Sequence, residues 1–170
     1  RLHPGTALEL ERMSLRSGVW SVARPEGTIY GAQSLSLSTT QSFADPSTYA
    51  FFAIAPAFAL GDAARASLRI PAEWPVAFDR LELDATVRFD RPWGIDALER
   101  TAPQPRKIDL KLAEAAWGNL RLFAAADLDV DVDGVPTGTV NLQAENWQDM
   151  LDLAMDAGPL PPQLRSQAQD

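Results

Sequence analysis

The chain contains no cysteine and a single histidine, at position 3 of its 170 residues. Disulfide staples, thiolate metal sites and cysteine nucleophiles are thereby excluded, as is any catalytic dyad centred on a histidine inside the domain. The lack of cysteine does not fix a compartment, because it suits an oxidising envelope and a reducing cytosol alike. Basic residues are also short: 15 Lys and Arg stand against 23 Asp and Glu, for a formal net charge of −8. A phosphate backbone would meet a repulsive surface, so no nucleic-acid partner is expected. No apolar run approaches the roughly 18 to 20 residues that span a bilayer as a helix. The longest, Ala50 to Leu60, is too short and contains Pro56. G-x-S-x-G, a glycine-rich phosphate loop and H-E-x-x-H are all missing, which removes the common nucleophile, nucleotide and zinc signatures. We therefore expect no enzyme activity and no cofactor. The opening residues RLHPGTALELE lack the layout of a signal peptide, so the expectation is a mature or trimmed segment.

What is present is alternation. From Arg80 to Phe89, Leu81, Leu83, Ala85, Val87 and Phe89 share one side, and Arg80, Glu82, Asp84, Thr86 and Arg88 share the other. A period of two held over that length predicts a half-buried antiparallel strand. The pattern recurs from Lys107 to Leu112, with Ile108, Leu110 and Leu112 inward, and from Leu120 to Val132, through Leu122, Ala124, Ala126, Leu128 and Val130. Shorter strands are expected over Val19 to Val22, Thr28 to Tyr30, Ser34 to Ser38 and Ser67 to Ile70. Near the start, Leu8 and Leu10 hold one parity but Met13 and Leu15 the other, which predicts a bulge or break at Glu11 and Arg12. At Asp133-Gly134 a two-residue turn would turn Val140 and Leu142 into water, so the hairpin is expected to have an odd-length loop or a bulge at Gly138.

Helices are expected at three places. Asn146 to Ala157 offers an N-cap, Asp149 in the first turn, an apolar stripe of Trp147, Met150, Leu151 and Ala154, and a Gly158-Pro159 stop. Ser47 to Leu60 and Ile95 to Arg100 are the others. The predicted fold is a single α+β domain over residues 1–170: a long, twisted, mainly antiparallel sheet with a few helices packed on one face.

Candidate sites are few. Asp129, Asp131 and Asp133 with Gly134 resemble the opening of a calcium loop, but an EF-hand starting at Asp129 would need Glu where Val140 stands. Leu128, Val130 and Val132 between them describe a strand with a wet acidic face, whose carboxylates stand about 6 to 7 Å apart. The expectation is no metal, with calcium at these three residues as the alternative. Hydrolysis by a pair such as Glu82 and Asp84 would need convergence in a cleft, whereas their parity puts them on a wet strand face. His3 reads as a surface residue. The five tryptophans (Trp20, Trp74, Trp93, Trp117, Trp147) read as core-edge packing with indole N–H groups bonded to loop carbonyls, or as an aromatic rim for a sugar or lipid.

A long sheet covered by few helices curls and leaves an apolar inner face to be filled. Leu81, Leu83, Val87, Phe89, Leu110, Leu112 and Leu122 are its candidate ligand-binding residues. A lipid chain or an apolar partner segment would fit it, since the sequence offers no basic headgroup site. Complete filling by the helix at Asn146 to Ala157 and by Phe51 to Leu60 is the competing expectation.

Three phrases carry a resemblance: "WG-x-L-x-L" from Trp117, the acidic "D-x-D-G-x-P-x-G" hairpin from Asp131, and the "N-W-x-x-M-L" entry from Asn146. Over residues 67–158 the chain resembles the bacterial domain-of-unknown-function family numbered 2125, and its texture is more loosely similar to AsmA-like envelope proteins. The resemblance implies an envelope protein anchored at its N-terminus, facing the periplasm, with no assigned activity. No anchor stands in this sequence, so a piece of a longer envelope protein is the expectation. The function these readings imply is an envelope-associated binding or scaffold protein that holds a lipid or a partner segment. A small calcium-binding or purely structural module is the alternative, and an Asp/Glu hydrolase the remotest.

Overall fold

The computed structural model describes residues 9–25, 27–67, 70, 72, 74–97 and 102–148. Its architecture is one nine-stranded antiparallel sheet. β1 (Arg12–Ser17) and β2 (Trp20–Arg24) are two stretches of one line, broken at Gly18 and Val19. β3 (Gly27–Ala32) and β4 (Leu35–Gln41) form the returning line. Arg12 opposite Thr40 and Trp20 opposite Ala32 belong to the same register, so the break does not shift the pairing. β5 (Thr48–Leu60) pairs with both halves of that line, Ile54 opposite Ser36 and Leu60 opposite Tyr30. β6 (Ala77–Phe89), β7 (Pro105–Trp117), β8 (Leu120–Val130) and β9 (Pro136–Glu145) follow in order. Nine strands thus make seven lines in a plain meander, each hydrogen-bonded to the line before it in the chain. β5, β6 and β7 each run 13 residues, about 44 Å at ~3.4 Å per residue.

The α+β expectation is corrected by this topology. Among the described residues the helical content is α1 (Asp62–Ser67), a single 3-10 turn at Ile95–Ala97 and the two residues Trp147 and Gln148, so no helical layer packs on the sheet there. The helix expected over Ser47 to Leu60 is the central strand β5. Its apolar residues on both sides fit a strand flanked by neighbours on both edges, and Pro56 would have broken a helix. In the strand Pro56 precedes Ala57, whose φ is 50° and which is passed over in the β5–β6 ladder while the register holds on either side. Only the first turn of the expected 146–157 helix is in view, at Trp147 and Gln148, and the rest lies outside the described residues. Asn146 has φ 58° and donates its Nδ2 hydrogen to the Asn119 carbonyl at 2.9 Å, so it ties the end of β9 to the β7–β8 turn. The short helix expected over Ile95 to Arg100 begins as a 3-10 turn at Ile95–Ala97, and its residues 98–100 lie outside the described residues. Ser67 of the strand expected over 67–70 ends α1 instead.

Other expectations hold. The parity break falls at Glu11, which lies between a lone bridge at Leu10 and the start of β1. The β8–β9 connection spans residues 131–135, an odd-length loop, and sets Val140 opposite Ala126 on the apolar side. A bulge in β7 was not legible. Leu110 pairs with Ala85 and Ala126, and Ala113 with Leu83 and Ala124, so Lys111 and Leu112 together face Ala125. The extra residue carries the apolar face from even to odd positions.

Burial is concentrated in small residues. Ala85, Ala116, Ala55 and Ala126 are buried, and among the described residues Tyr49 is the large side chain that is wholly so. Long ladders pin strand to strand, and close approach matters where a line turns. Gly61 donates its N–H to the Ile29 carbonyl at 2.7 Å, and a Cβ there would stand 1.7 Å from the Thr28 carbonyl oxygen. Gly61→Ala therefore pushes β3 away from β5. We expect a loss of about 1 to 3 kcal/mol in chemical denaturation. Gly18→Ala, with nothing within 4 Å of the new methyl, should change stability little.

Candidate functional site

Midway along the strands the register aligns small and apolar side chains into two parallel rows. Ala55, Leu81, Ala115, Leu122 and Ala144 form one, and Ala53, Leu83, Ala113, Ala124 and Leu142 the other. Between them runs a middle row of Ile54, Glu82, Glu114, Phe123 and Gln143, whose side chains alternate to the opposite side. These three rows, with Leu35 of β4, line a cavity of about 650 Å³ whose exposed wall is almost wholly carbon. The cavity is an apolar trough across the strands, floored by the backbone of the middle row. From β5 to β9 it extends about 19 Å at ~4.8 Å per strand. Alanines on β5, β7 and β8 set the floor back, and Leu83 and Leu122 retain 38% and 39% of their exposure.

The seven residues expected on the inner face divide three ways. Leu81, Leu83 and Leu122 line the trough. Val87 and Leu110 share its side farther along the strands, as does Phe89, which packs in an aromatic group with Tyr49, Phe51 and Trp93 at centroid distances of 5.9, 6.2 and 5.6 Å. Leu112 is displaced by the bulge to a position opposite Asp84, on the charged side. Sequence reasoning placed Ala124 and Leu142 on the inward face without counting them as binding residues, and it missed Ala53, Ala55, Ala113, Ala115 and Ala144. The available signal was their alternation, which a count of large apolar residues overlooks.

Aromatic groups flank the trough along the strands. Beyond Ala57, Trp20, Tyr30, Phe58, Phe78, Trp117 and Trp74 contact one another in series, with centroids 6.0, 6.0, 6.4, 4.6 and 4.7 Å apart. Each such pair contributes about 0.5 to 1.5 kcal/mol beyond burial alone. The expectation for the indoles needs correction: Trp117 Nε1 donates to the Pro75 carbonyl at 2.8 Å, but the buried Nε1 atoms of Trp20, Trp74 and Trp93 make no hydrogen bond. At the other end the Tyr49 hydroxyl accepts hydrogen bonds from Trp93 N at 3.0 Å and Gln41 Nε2 at 3.2 Å, which fastens the 90–104 connection over the sheet. Burial chiefly raises the Tyr49 pKa above its ordinary value, against the lowering effect of the Trp93 N–H.

The opposite side of the sheet is ionic. Glu82 and Glu114 are directly opposed across β6 and β7, a repulsive arrangement. Each is matched by an arginine, Glu82 by Arg80 and Glu114 by Arg121 at 3.3 Å. Lys107 Nζ lies 3.0 Å from Asp127, and that hydrogen bond chiefly raises its pKa. The three aspartates of the calcium alternative do not converge. Asp129 lies on β8 opposite Lys107, while Asp131 Oδ1 accepts the N–H groups of Asp133 and Val135 at 2.9 Å each. With Gly134 at φ 83°, this closes the hairpin as an Asx turn. Among the described residues no group of three or more Asp, Glu, His or Cys is placed to hold a metal ion, and no helix is long and apolar enough to cross a membrane.

Over residues 1–170 the chain matches the family described as "uncharacterized protein conserved in bacteria (DUF2125)", and it belongs to that family. The match extends to the N-terminal strands, beyond the 67–158 segment that carried the sequence motifs. Comparison with curated proteins and with solved structures finds no match.

The raised pKa of Tyr49 gives a pH signature. A group whose pKa is higher folded than unfolded contributes stability below its unfolded value, near 10.0 here, and that contribution disappears as pH rises through the folded value. Melting curves should show an alkaline loss of stability in the wild type that Tyr49→Phe lacks. At neutral pH the same variant should be weaker by about 1 to 3 kcal/mol, because the Trp93 N–H loses its acceptor.

Proposed function

We propose that this member of the family is a binding or scaffold protein of the bacterial cell envelope, and that it holds an extended apolar chain, the acyl chain of a lipid, in the trough. The observation that carries the reading is the trough itself: about 650 Å³ of mostly carbon-lined space, where Glu82 and Glu114 belong to the row whose side chains alternate to the other side. Its size is within the range of small-molecule pockets, but such pockets usually include a few convergent polar groups that fix a polar ligand. A lining without them favours a ligand recognised by length and shape. Burial of methylene groups at about 0.8 kcal/mol each supplies affinity with no charged contact. The periplasmic placement rests on the family resemblance and the acidic, cysteine-free composition is compatible with it. The reading is of a carrier or scaffold without catalysis, since the ionisable residues of the middle row project to the other side, where Glu82 and Glu114 are held by arginines. An apolar segment of a partner protein in the same trough is the scaffold form of this reading.

A naturally fluorescent polyene fatty acid tests it. The wild type should bind the probe saturably. Ala113→Phe and Ala115→Phe each fill the middle of the trough from a side chain that already projects there. Loss of room for two methylenes should weaken binding about tenfold, at ~0.8 kcal/mol for each. Thr139→Ala, on the far side and outside the trough lining, should bind as the wild type does. Equal binding by the filled variants, with their folds intact, would leave the trough without this role.

A further inference from the structure

The two edges of the sheet differ in how they meet water. The β1–β2 edge has the features that deter strand addition: it is broken at Gly18 and Val19, shifts register between Val22 and Ala23, and carries Arg12, Arg16 and Arg24. β9 has none of them. It runs ten residues, every one exposed, in unbroken register with β8, and its outer edge has no partner strand among the described residues. Its one proline is the first residue, it contains no lysine or arginine, and its only charge is Glu145 at the last position. The trough also runs off the sheet here. Leu142 and Ala144 line it, and Leu142 and Val140 are 79% and 55% exposed.

We infer that β9 is an assembly edge, and that its occupant is β9 of a second copy of this chain, paired antiparallel about a two-fold axis perpendicular to the sheet. Geometry selects this arrangement over the other edge. β9 and β1 run in the same direction, so joining them with the apolar faces on one side gives a parallel ladder, unlike every ladder in the sheet. Reversing one copy to make that pair antiparallel sets the apolar face of one against the charged face of the other. Of the two edges that β9 could meet, only β9 itself keeps both the antiparallel ladder and the common apolar face, and the features of the β1–β2 edge deter the corresponding pairing there. Centred on Asn141, it sets Val140 of one copy opposite Leu142 of the other, Thr139 opposite Gln143, and Thr137 opposite Glu145. No like charges are then directly opposed. The acidic β8–β9 hairpins go to opposite ends, and the two troughs lie side by side on one face, offset by four residues, with Leu142 of each copy beside Val140 of the other.

Sedimentation of the full chain over a wide range of concentration tests the inference. A monomer–dimer equilibrium is expected. Asn141→Lys, which opposes two ammonium groups at the axis on the exposed polar side, should weaken the dimer roughly tenfold or more. Arg16→Glu on β1 should leave it unchanged. Because the chain has no cysteine, Asn141→Cys should give one disulfide-linked dimer on mild oxidation. Monomer at every concentration, a dimer indifferent to Asn141→Lys, or an open series of oligomers would each overturn the inference. Circular dichroism of each variant establishes that the sheet is retained.

Discussion

Registry of one apolar face across seven successive lines is the constraint on which this molecule depends. Each strand has a single row of positions that can meet the same side, and a slip of one residue in any ladder would turn that row into water. The chain maintains the row through irregularities as well as through regular pairing. At Lys111 and Leu112 a bulge transfers it from Ile108 and Leu110 to Ala113 and Ala115. At residues 131–135 an odd-length loop transfers it to Val140, Leu142 and Ala144. Without those two devices the trough would end at β7 or β8, and β9 would present its threonines and Asn141 to the apolar side.

Parts of this were legible in the sequence, and the reasons are local. β6 alternates strictly from Leu81 to Phe89, so its facing follows from the period alone. The hairpin after Val130 was legible because Val140 and Leu142 had to match the inward row of the strand before them. β5 was read as a helix because Tyr49, Phe51, Phe52, Ile54 and Phe58 occupy both sides of it, which erases the period of two, although Pro56 argued for a strand. The displacement of Leu112 was not legible, since a bulge is a relation between strands. The trough was half legible. Leucines announce an apolar face, but the recess depends on Ala53, Ala55, Ala113, Ala115 and Ala124, where the informative property is small volume.

The two sides of the sheet divide the energetic tasks. On the far side, Glu82 and Glu114 would repel across β6 and β7, and the exposed Arg80 and Arg121 offset that repulsion by pairing with these half-buried carboxylates. On the near side, large side chains are gathered into the group around Tyr49 and the series that runs from Trp20 to Trp74, and the span between is left to alanine. Stability is thereby placed at the ends of the strands and in the ladders, and the middle remains shallow enough to receive a chain. A protein that filled its trough with leucine would gain burial and lose the recess.

Calorimetry at several temperatures with saturated fatty acids of increasing length tests this account most directly. Removal of apolar surface from water gives a negative heat-capacity change of binding. The account predicts a change that grows more negative with each added methylene until the chain outruns the trough, then levels off. A heat-capacity change near zero, or one independent of chain length, would contradict it.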